Sequence, residues 1–516
     1  MGSSFFEFNI ATTGLFAAKA GLEVTSHNIS NMATPGYSRQ YVKQRATTPL
    51  DRYSGIGQVG TGTEIYGIGQ HRDVYLDKKY WVQNSTYGEY YQKSNQLGVA
   101  ESIFSELSET GLTKNVNSFF QTISDLKFSA DDLNYRSAVI NNADMLVSSI
   151  RNHAIKLRQQ QIDLNEDINS LVERINAIGT QLSNLNEQIY KFEIDGQPAN
   201  ELRDQRTLLL DELSKYVNVE TKEMSDGTGR ELGNKFVVLI NGHEFVNHIE
   251  SRKLQTERRA NPLHPDDAPN LYDIKWSNGE SLNLNGLQGE LKGLVDIRDG
   301  DSGVGNGGQY KGIPYYVSKL NEFVRTMAIA FNEGTRLDGT ALNGVIGHKS
   351  GFDMNGDPGK VFFTMTTANG TTAPDIADYN DITAFNFAVS DELKEDPSKL
   401  AASDTQDPAQ ESNNKVILGF LKLKDDVTLF SEGGAYQFVN AIAATLGIDK
   451  KQADSFSKYY KDITKTVDNQ RMQVSGVSLN EEVANVVKYQ HLYQAASKLI
   501  NVINDIYSTT INGLGI

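Results

Sequence analysis

The chain has 516 residues, 22% of them charged and 39% apolar, a net charge of -16 and no cysteine. That length allows several domains, and that balance belongs to a folded chain rather than a disordered one. The acidic surplus argues against a nucleic-acid surface or docking on anionic lipid, no apolar run reaches the roughly 18 residues of a membrane span, and the missing cysteine removes disulfides, thiol catalysis and zinc–thiolate sites.

The opening MGSSFFEFNIATTG has neither the basic region nor the apolar core of a secretory signal. From Phe8 a seam runs through Ala11, Leu15, Ala18, Leu22, Thr25, Ile29 and Met32 at alternating spacings of three and four. It predicts a helix about 40 Å long with one face seeking a partner. The helix leads into SHNISNMATPGYSRQ, residues 26–40. Asn28-Ile29-Ser30 matches a glycosylation pattern, but Asn84-Ser85-Thr86 and Asn369-Gly370-Thr371 match it too, and no secretory signal supports it. Thr34 precedes proline and is expected to be extended, and Pro35-Gly36 suits the centre of a type II turn. Asn28 and Asn31 can bond to a neighbouring helix or back to the chain. Thr34, Pro35 and Gly36 are therefore expected to form a hinge between an assembly helix and a folded body.

Helical patterns cover 72–160, with a break at Asp131-Asp132-Leu133-Asn134. A further seam, Leu164, Ile168, Leu171, Ile175, Ile178, Leu182, Leu185, Ile189 and Phe192, ends at Asp195-Gly196-Gln197-Pro198. ANELRDQRTLLLDELSKYV then predicts the second arm of an antiparallel helical hairpin. Near 216 the texture becomes β-rich. KFVVLINGHEFV carries an Asn241-Gly242 hairpin signal and LYDIKWSNGESLNL an Asn278-Gly279 one, with the proline-rich loop ANPLHPDDAPN between them. GDSGVGNGGQYKG, 300–312, reads as a glycine-rich connector, 313–332 as helix, 336–410 as a turn-rich insertion, and the chain from 411 as helix again.

At the far end Leu479, Val486, Tyr493, Ile500, Tyr507 and Leu514 repeat every seven residues. Tyr489, Ala496 and Ile503 sit three later, and Leu492, Leu499 and Ile506 widen the stripe. This helix would be about 50 Å long. The fold expected is mainly α with inserted β. Residues 1–46 and 477–516 form a coiled-coil-like terminal domain, 47–215 with 300–335 and 411–476 a helical body, 216–299 a β-rich lobe, and 336–410 an insertion. Phe8, Leu15, Leu22, Asn28, Ile29 and Asn31, with Leu479, Val486, Tyr493, Ile500 and Tyr507, are the expected assembly interface.

No motif for catalysis, cofactor or metal outweighs its ordinary reading. Gly55–Gly60 and Gly303–Gly308 fit G-x-G-x-x-G but lack the strand before and helix after that a dinucleotide site needs. His243 and His248, with Glu244 between, are five apart in a hairpin, not four apart on a helix. Asp353-Met354-Asn355-Gly356-Asp357 opens like a calcium loop, but Pro358 stands where glycine is needed and Thr364 where a bidentate glutamate is needed. There is no G-x-S-x-G elbow and no Walker loop.

HNISNMATPGYSRQ resembles the N-terminal signature of the bacterial flagellar axial proteins, the rod, hook and hook-associated group. GTGTEIYGIGQHRDVYLDKKYW, NEQIYKFEIDGQPANELRDQRTLLLDELSKYVNVE, LQGELKGLVDIRDG, GFDMNGDPGKVFF and SGVSLNEEVANVVKYQHLYQAASKLINVINDIYSTTING are similar to further blocks of its hook-associated members, in family order. The large β domain that often follows the Phe-Phe block looks reduced or absent here. The resemblance implies a structural subunit without catalytic activity or cofactor, self-assembling as a ring layer between hook and filament. It implies type III export without a cleaved signal, a chaperone at the C-terminal helix, the hook protein and a second junction protein as neighbours, and no membrane insertion. Another axial protein, hook or filament subunit, and a secreted wall-active enzyme with its site in 216–300 or 336–410 are the alternative readings.

Overall fold

The computed structural model describes residues 6–51, 57–104, 111–194, 196, 198–224, 234–303, 305–407 and 412–513. Expectations that rest on Gly55, Asp195, Gln197, Val304 and Leu514 lie outside the described residues. The helices run in chain order as α1 (Phe6–Asn31), α2 (Val74–Phe104), α3 (Leu112–Leu126), α4 (Leu133–Glu193), α5 (Asn200–Tyr216), α6 (Glu290–Asp299), α7 (Ile313–Glu333), α8 (Asp391–Glu395), α9 (Lys415–Lys422), α10 (Ala435–Ser475) and α11 (Leu479–Gly513). Small antiparallel sheets sit between them, so the chain is mainly α with inserted β.

The spine is α4, whose 61 residues span about 90 Å. Its start is capped by the Asp132 carboxylate, which accepts the Asn134 amide at 2.7 Å. Leu164, Ile168, Ile175, Ile178, Leu182 and Ile189 are buried as the seam predicts, but Phe192 is 61% exposed, so the seam stops short of it. A second buried row, Asn165, Val172, Gly179 and Asn186, faces the β lobe. A Cβ on Gly179 would collide with the Phe245 ring, and Asn186 Nδ2 donates to His248 O at 2.8 Å. Burial on two faces explains how one helix stays continuous for this length. The α4–α5 hairpin forms as expected, with Arg174 Nε on Glu212 at 2.8 Å. The long helices α2 and α10 make a second antiparallel pair, where Tyr90 packs on Phe456 at 4.9 Å and on Tyr460 at 5.9 Å between ring centroids.

In the β lobe, Val219–Met224, Lys235–Ile240, His243–Asn247 and Glu250–Ser251 pair in sequence order. Asn241 and Gly242 close their hairpin with φ of 48° and 83°, the left-handed pair a two-residue turn requires. Leu254–Arg258 pairs with Tyr272–Trp276.

The glycine-rich stretch 300–312 connects α6 to α7, and it is held tightly. The buried Asp301 carboxylate accepts the Gly303 and Gly307 amides at 2.9 and 2.8 Å, and a Cβ on Gly307 would collide with Asp299 O. The glycines allow close packing rather than freedom. One continuous core runs from Trp81 to Ala453 through the helical body, the β lobe and 336–410. At one end it gathers phenylalanines, with Phe331 at 4.7 Å from Phe420, 5.3 Å from Phe363 and 5.4 Å from Phe119. Neither α1 nor α11 contributes a described residue to this core.

Candidate assembly interface

The two terminal helices pack on each other instead. Gly21 faces Tyr489 so closely that a Cβ would lie 2.5 Å from the ring. One heptad along both helices, Asn28 Nδ2 donates to Glu482 Oε2 at 3.1 Å. Contacts of 21 with 489 and 28 with 482 make the pair antiparallel. The buried residues of α1 are Ala11, Ala17, Ala18, Gly21, Val24, Thr25 and Asn28, nearly all small. The predicted seam therefore splits. Its small members Ala11, Ala18 and Thr25 are buried, whereas Phe8, Leu15, Leu22 and Ile29 are only half-buried and Met32 is exposed. The backbones approach closely, so bulky side chains move to the flanks.

On α11 the described residues include just two buried side chains, Glu482 and Ile503. Val486, Ile500 and Tyr507 are half-buried, while Leu479 and Tyr493 are exposed. Leu492, Leu499 and Ile506, spaced by seven, are 49%, 49% and 54% exposed. This pair thus leaves an aliphatic stripe in water.

The stretch after α1 joins this pair to the body. Tyr37 N donates to Thr34 O at 3.2 Å and Gly36 has φ +77°, a type II turn. Thr34, Pro35 and Gly36 are exposed, and Asn31 is half-buried and bonds back to His27 O at 3.1 Å. Beyond the turn the chain is held tightly. Asn28 pairs with the backbone of Gln40, donating to its carbonyl and accepting its amide, both at 2.9 Å, and accepts the Tyr37 hydroxyl at 2.8 Å. Ser38 donates its amide and hydroxyl to Asp204 at 2.8 and 2.7 Å, and Arg72 donates to the same carboxylate at 2.8 Å. Arg39 holds Glu482 at 2.8 Å and Glu481 at 2.7 Å, and its amide reaches Ser475 O at 2.8 Å. Further in, Asp77 lies between Arg72 at 2.7 Å and Arg471 at 2.9 Å. Asp211 accepts from Arg471 at 2.9 Å and Trp81 at 2.7 Å.

Residues from α1, α2, α5, α10 and α11 thus meet in one polar cluster. Burial pushes the Asp204 carboxyl up against the opposing pull of Ser38 and Arg72, and burial likewise raises Asp211 against Arg471. Burial, then Glu201, Asp204 and Glu482, raises the Tyr37 phenol, so it stays a donor. Sequence pattern alone assigns no contact to Ser38, Arg39 and Gln40, to the partners Arg72, Asp204 and Glu482, or to Arg471, which holds Asp77 and Asp211. One signal was available: Glu481 and Glu482 open the last helix, where its dipole favours acids.

The other motifs resolve as ordinary structure. His243 lies in a strand and His248 in the turn after it, at φ 58°. The Asp353 carboxylate accepts the Asn355 and Asp357 amides of its own loop at 2.8 and 2.9 Å, an Asx-type turn. Among the described residues no group of three or more His, Asp or Glu could hold a metal ion, and no helix is long and apolar enough to cross a membrane.

Comparison with known proteins gives this geometry a context. Residues 97–363 match the flagellar hook-associated protein FlgK helical domain, and residues 469–513 match the flagellar basal body rod FlgEFG protein C-terminal family. Flagellar hook-associated protein 1 of Bacillus subtilis is 26% identical, over 100% of this chain and 99% of its own. The Escherichia coli protein of that name is 24% identical, over 98% and 99%. The solved structure of the flagellar hook junction protein FlgK from Burkholderia pseudomallei aligns with TM-score 0.60 at 13% identity, covering 77% of this chain and 100% of that one, a likeness of fold. With the helical-domain match spanning more than half of its length, the chain belongs to the family of the flagellar hook-associated protein FlgK.

Proposed function

We propose that this hook-associated protein is a structural subunit of the bacterial flagellum that joins hook to filament, building a ring or helical layer from its own copies through its terminal helices. The observation that carries this reading is the wet stripe Leu492, Leu499 and Ile506 on a helix pair that stands outside the core. Burying each such side chain between subunits contributes about 1.5–3 kcal/mol, set against about 1–2 kcal/mol of backbone entropy per residue ordered. A pair so poorly covered in one chain is marginal alone and gains its order on assembly. Repeated head-to-tail contacts then generate a ring or helix rather than a closed dimer.

The labour divides by region. Residues 1–46 and 477–516 assemble. Residues 47–215, 300–335 and 411–476 form the rigid body, and 216–299 and 336–410 decorate it. Phe8, Leu15, Leu22 and Ile29 on α1, and Leu479, Val486, Tyr493, Ile500 and Tyr507 on α11, supply contacts to neighbouring copies beside those within the pair. The Thr34–Gly36 turn sets the angle between pair and body. The subunit leaves the cytoplasm through the type III apparatus with a chaperone on its C-terminal helix, works outside the cell between the hook protein and a second junction protein, and catalyses nothing.

The position of labelled chain on isolated flagella tests this. A single band at the hook–filament junction is expected. Label along the whole hook, or as a coat on the filament, contradicts it.

A further inference from the structure

A helix pair built on small residues has little to fix its register, because alanine, glycine and threonine pack nearly as well one heptad away. This pair needs a fixed register, since two residues separate α1 from the turn at Thr34–Tyr37 and three non-helical residues, 476–478, separate α11 from the end of α10. We infer that Asn28 is the register key of the terminal helices, matching α1 to α11 through the buried Glu482.

The geometry assigns this role to Asn28 for three reasons. Asn28 and Glu482 are both 1% exposed, so a mismatch cannot be repaired by water. The Asn28 carboxamide is used on both sides: its oxygen takes the Gln40 amide and Tyr37 hydroxyl, and its nitrogen gives to Gln40 O and Glu482. Finally, Arg39 completes the Glu482 carboxylate at 2.8 Å, and it directly precedes the strand Gln40–Ala46, whose first residue Asn28 holds. A slip of one heptad toward the C-terminus of α11 would bring Tyr489 to Asn28, leaving Glu482 without its amide and placing the phenol ring in a buried polar site. A single buried amide that sets register at a cost in stability is an established device in helix pairs.

In the layer proposed above, where several copies of α1 and α11 lie side by side, the key selects the right pairing. That purpose rests on the proposed assembly, but the key itself does not and is tested on the isolated full chain. The protein has no cysteine, so introduced pairs report cleanly. Thr25 lies between Gly21 and Asn28, and Val486 between Glu482 and Tyr489. Thr25→Cys with Val486→Cys reads the native register, and Thr25→Cys with Tyr493→Cys reads the register one heptad on. The first pair should oxidise within one chain and the second should not.

Adding Asn28→Leu should shift the ratio of the two products about tenfold toward the second, the factor expected when one discriminating buried hydrogen bond is lost. Adding Glu482→Leu to that variant should leave the total yield unchanged without restoring the preference. An unchanged ratio in Asn28→Leu would overturn the inference. So would loss of both products with the body intact by proteolysis, which would make Asn28 a general stabiliser rather than a key. Whether junction layers form is a separate readout, so failure here leaves the proposed assembly standing.

Discussion

Gly21 on α1 and Tyr489 on α11 meet at a distance that leaves no room for a Cβ: the ring atoms would be 2.5 Å away. The contact lies one heptad from Asn28 and Glu482. Gly21→Val should force the ring aside and loosen the pair by about 1–3 kcal/mol. Hydrogen exchange should rise across 6–31 and 479–513 and stay unchanged in α4. Tyr489→Ala in the same chain should recover part of the loss. Uniform exchange changes across the molecule would refute the local assignment.

Gly36 makes a different demand. Its nearest neighbour, Leu208 Cβ, would be 3.5 Å from an added Cβ, an ordinary contact, but φ is +77°. The cost of Gly36→Val is therefore backbone strain, about 1–3 kcal/mol, falling on the turn. Assembly should suffer while the melting of the body stays within about 1 °C of the parent. Equal loss of both would show that the turn belongs to the body.

Arg471 binds two carboxylates, the buried Asp77 and the half-buried Asp211. Arg471→Met would leave both short of a partner in a site already unfavourable enough to raise Asp211. A loss of about 3–5 kcal/mol is expected in urea unfolding. Adding Asp211→Asn should recover part of it, and strict additivity of the two would contradict the coupling.

His348 gives the insertion an acid-sensitive point. It is fully buried, with Nδ1 on Lys360 O at 2.5 Å and Nε2 accepting the Ala401 amide at 2.9 Å. Burial pushes the imidazole down from 6.5 to about 4. The folded chain keeps it neutral while the unfolded chain takes up a proton, so its contribution is complete above about pH 6.5 and is lost as pH falls toward 4. The loss amounts to about 3 kcal/mol. Urea midpoints should fall less steeply between pH 6.5 and 4.5 in His348→Gln than in the parent, and parallel curves would rule His348 out.

Local rules made the elements legible. Heptads marked the terminal helices and the α4–α5 hairpin, Asp131-Asp132-Leu133-Asn134 marked a helix break, where α4 starts, and Asn241-Gly242 marked a β-turn. The seam of α1 named small and large residues together; its small members Ala11, Ala18 and Thr25 are the buried ones, because close approach favours small side chains, a preference that heptad spacing does not record. The polar cluster was invisible for another reason: Ser38 and Asp204 are 166 residues apart, and Asn28 and Glu482 454 apart. No local pattern records such partners. A recurring device helps in hindsight. Asn28, Asn176 and Asn332 each sit on a helix and pair both amide atoms with the backbone of an extended segment. A helical Asn on an apolar face is thus a cue to a docked strand. The tight packing of the 300–312 connector has no sequence signal, because glycine serves close packing as readily as flexibility.

The account turns on the stripe Leu492, Leu499 and Ile506. The direct measurement is electron microscopy of junction layers formed by the full chain carrying Leu499→Asp and Ile506→Asp, in cells lacking the parent protein, with the cross-link between introduced cysteines at 25 and 486 read in parallel. The account predicts that the cross-link still forms, the body stays folded, and no layer joins hook to filament. Normal layers with both substitutions in place would contradict it.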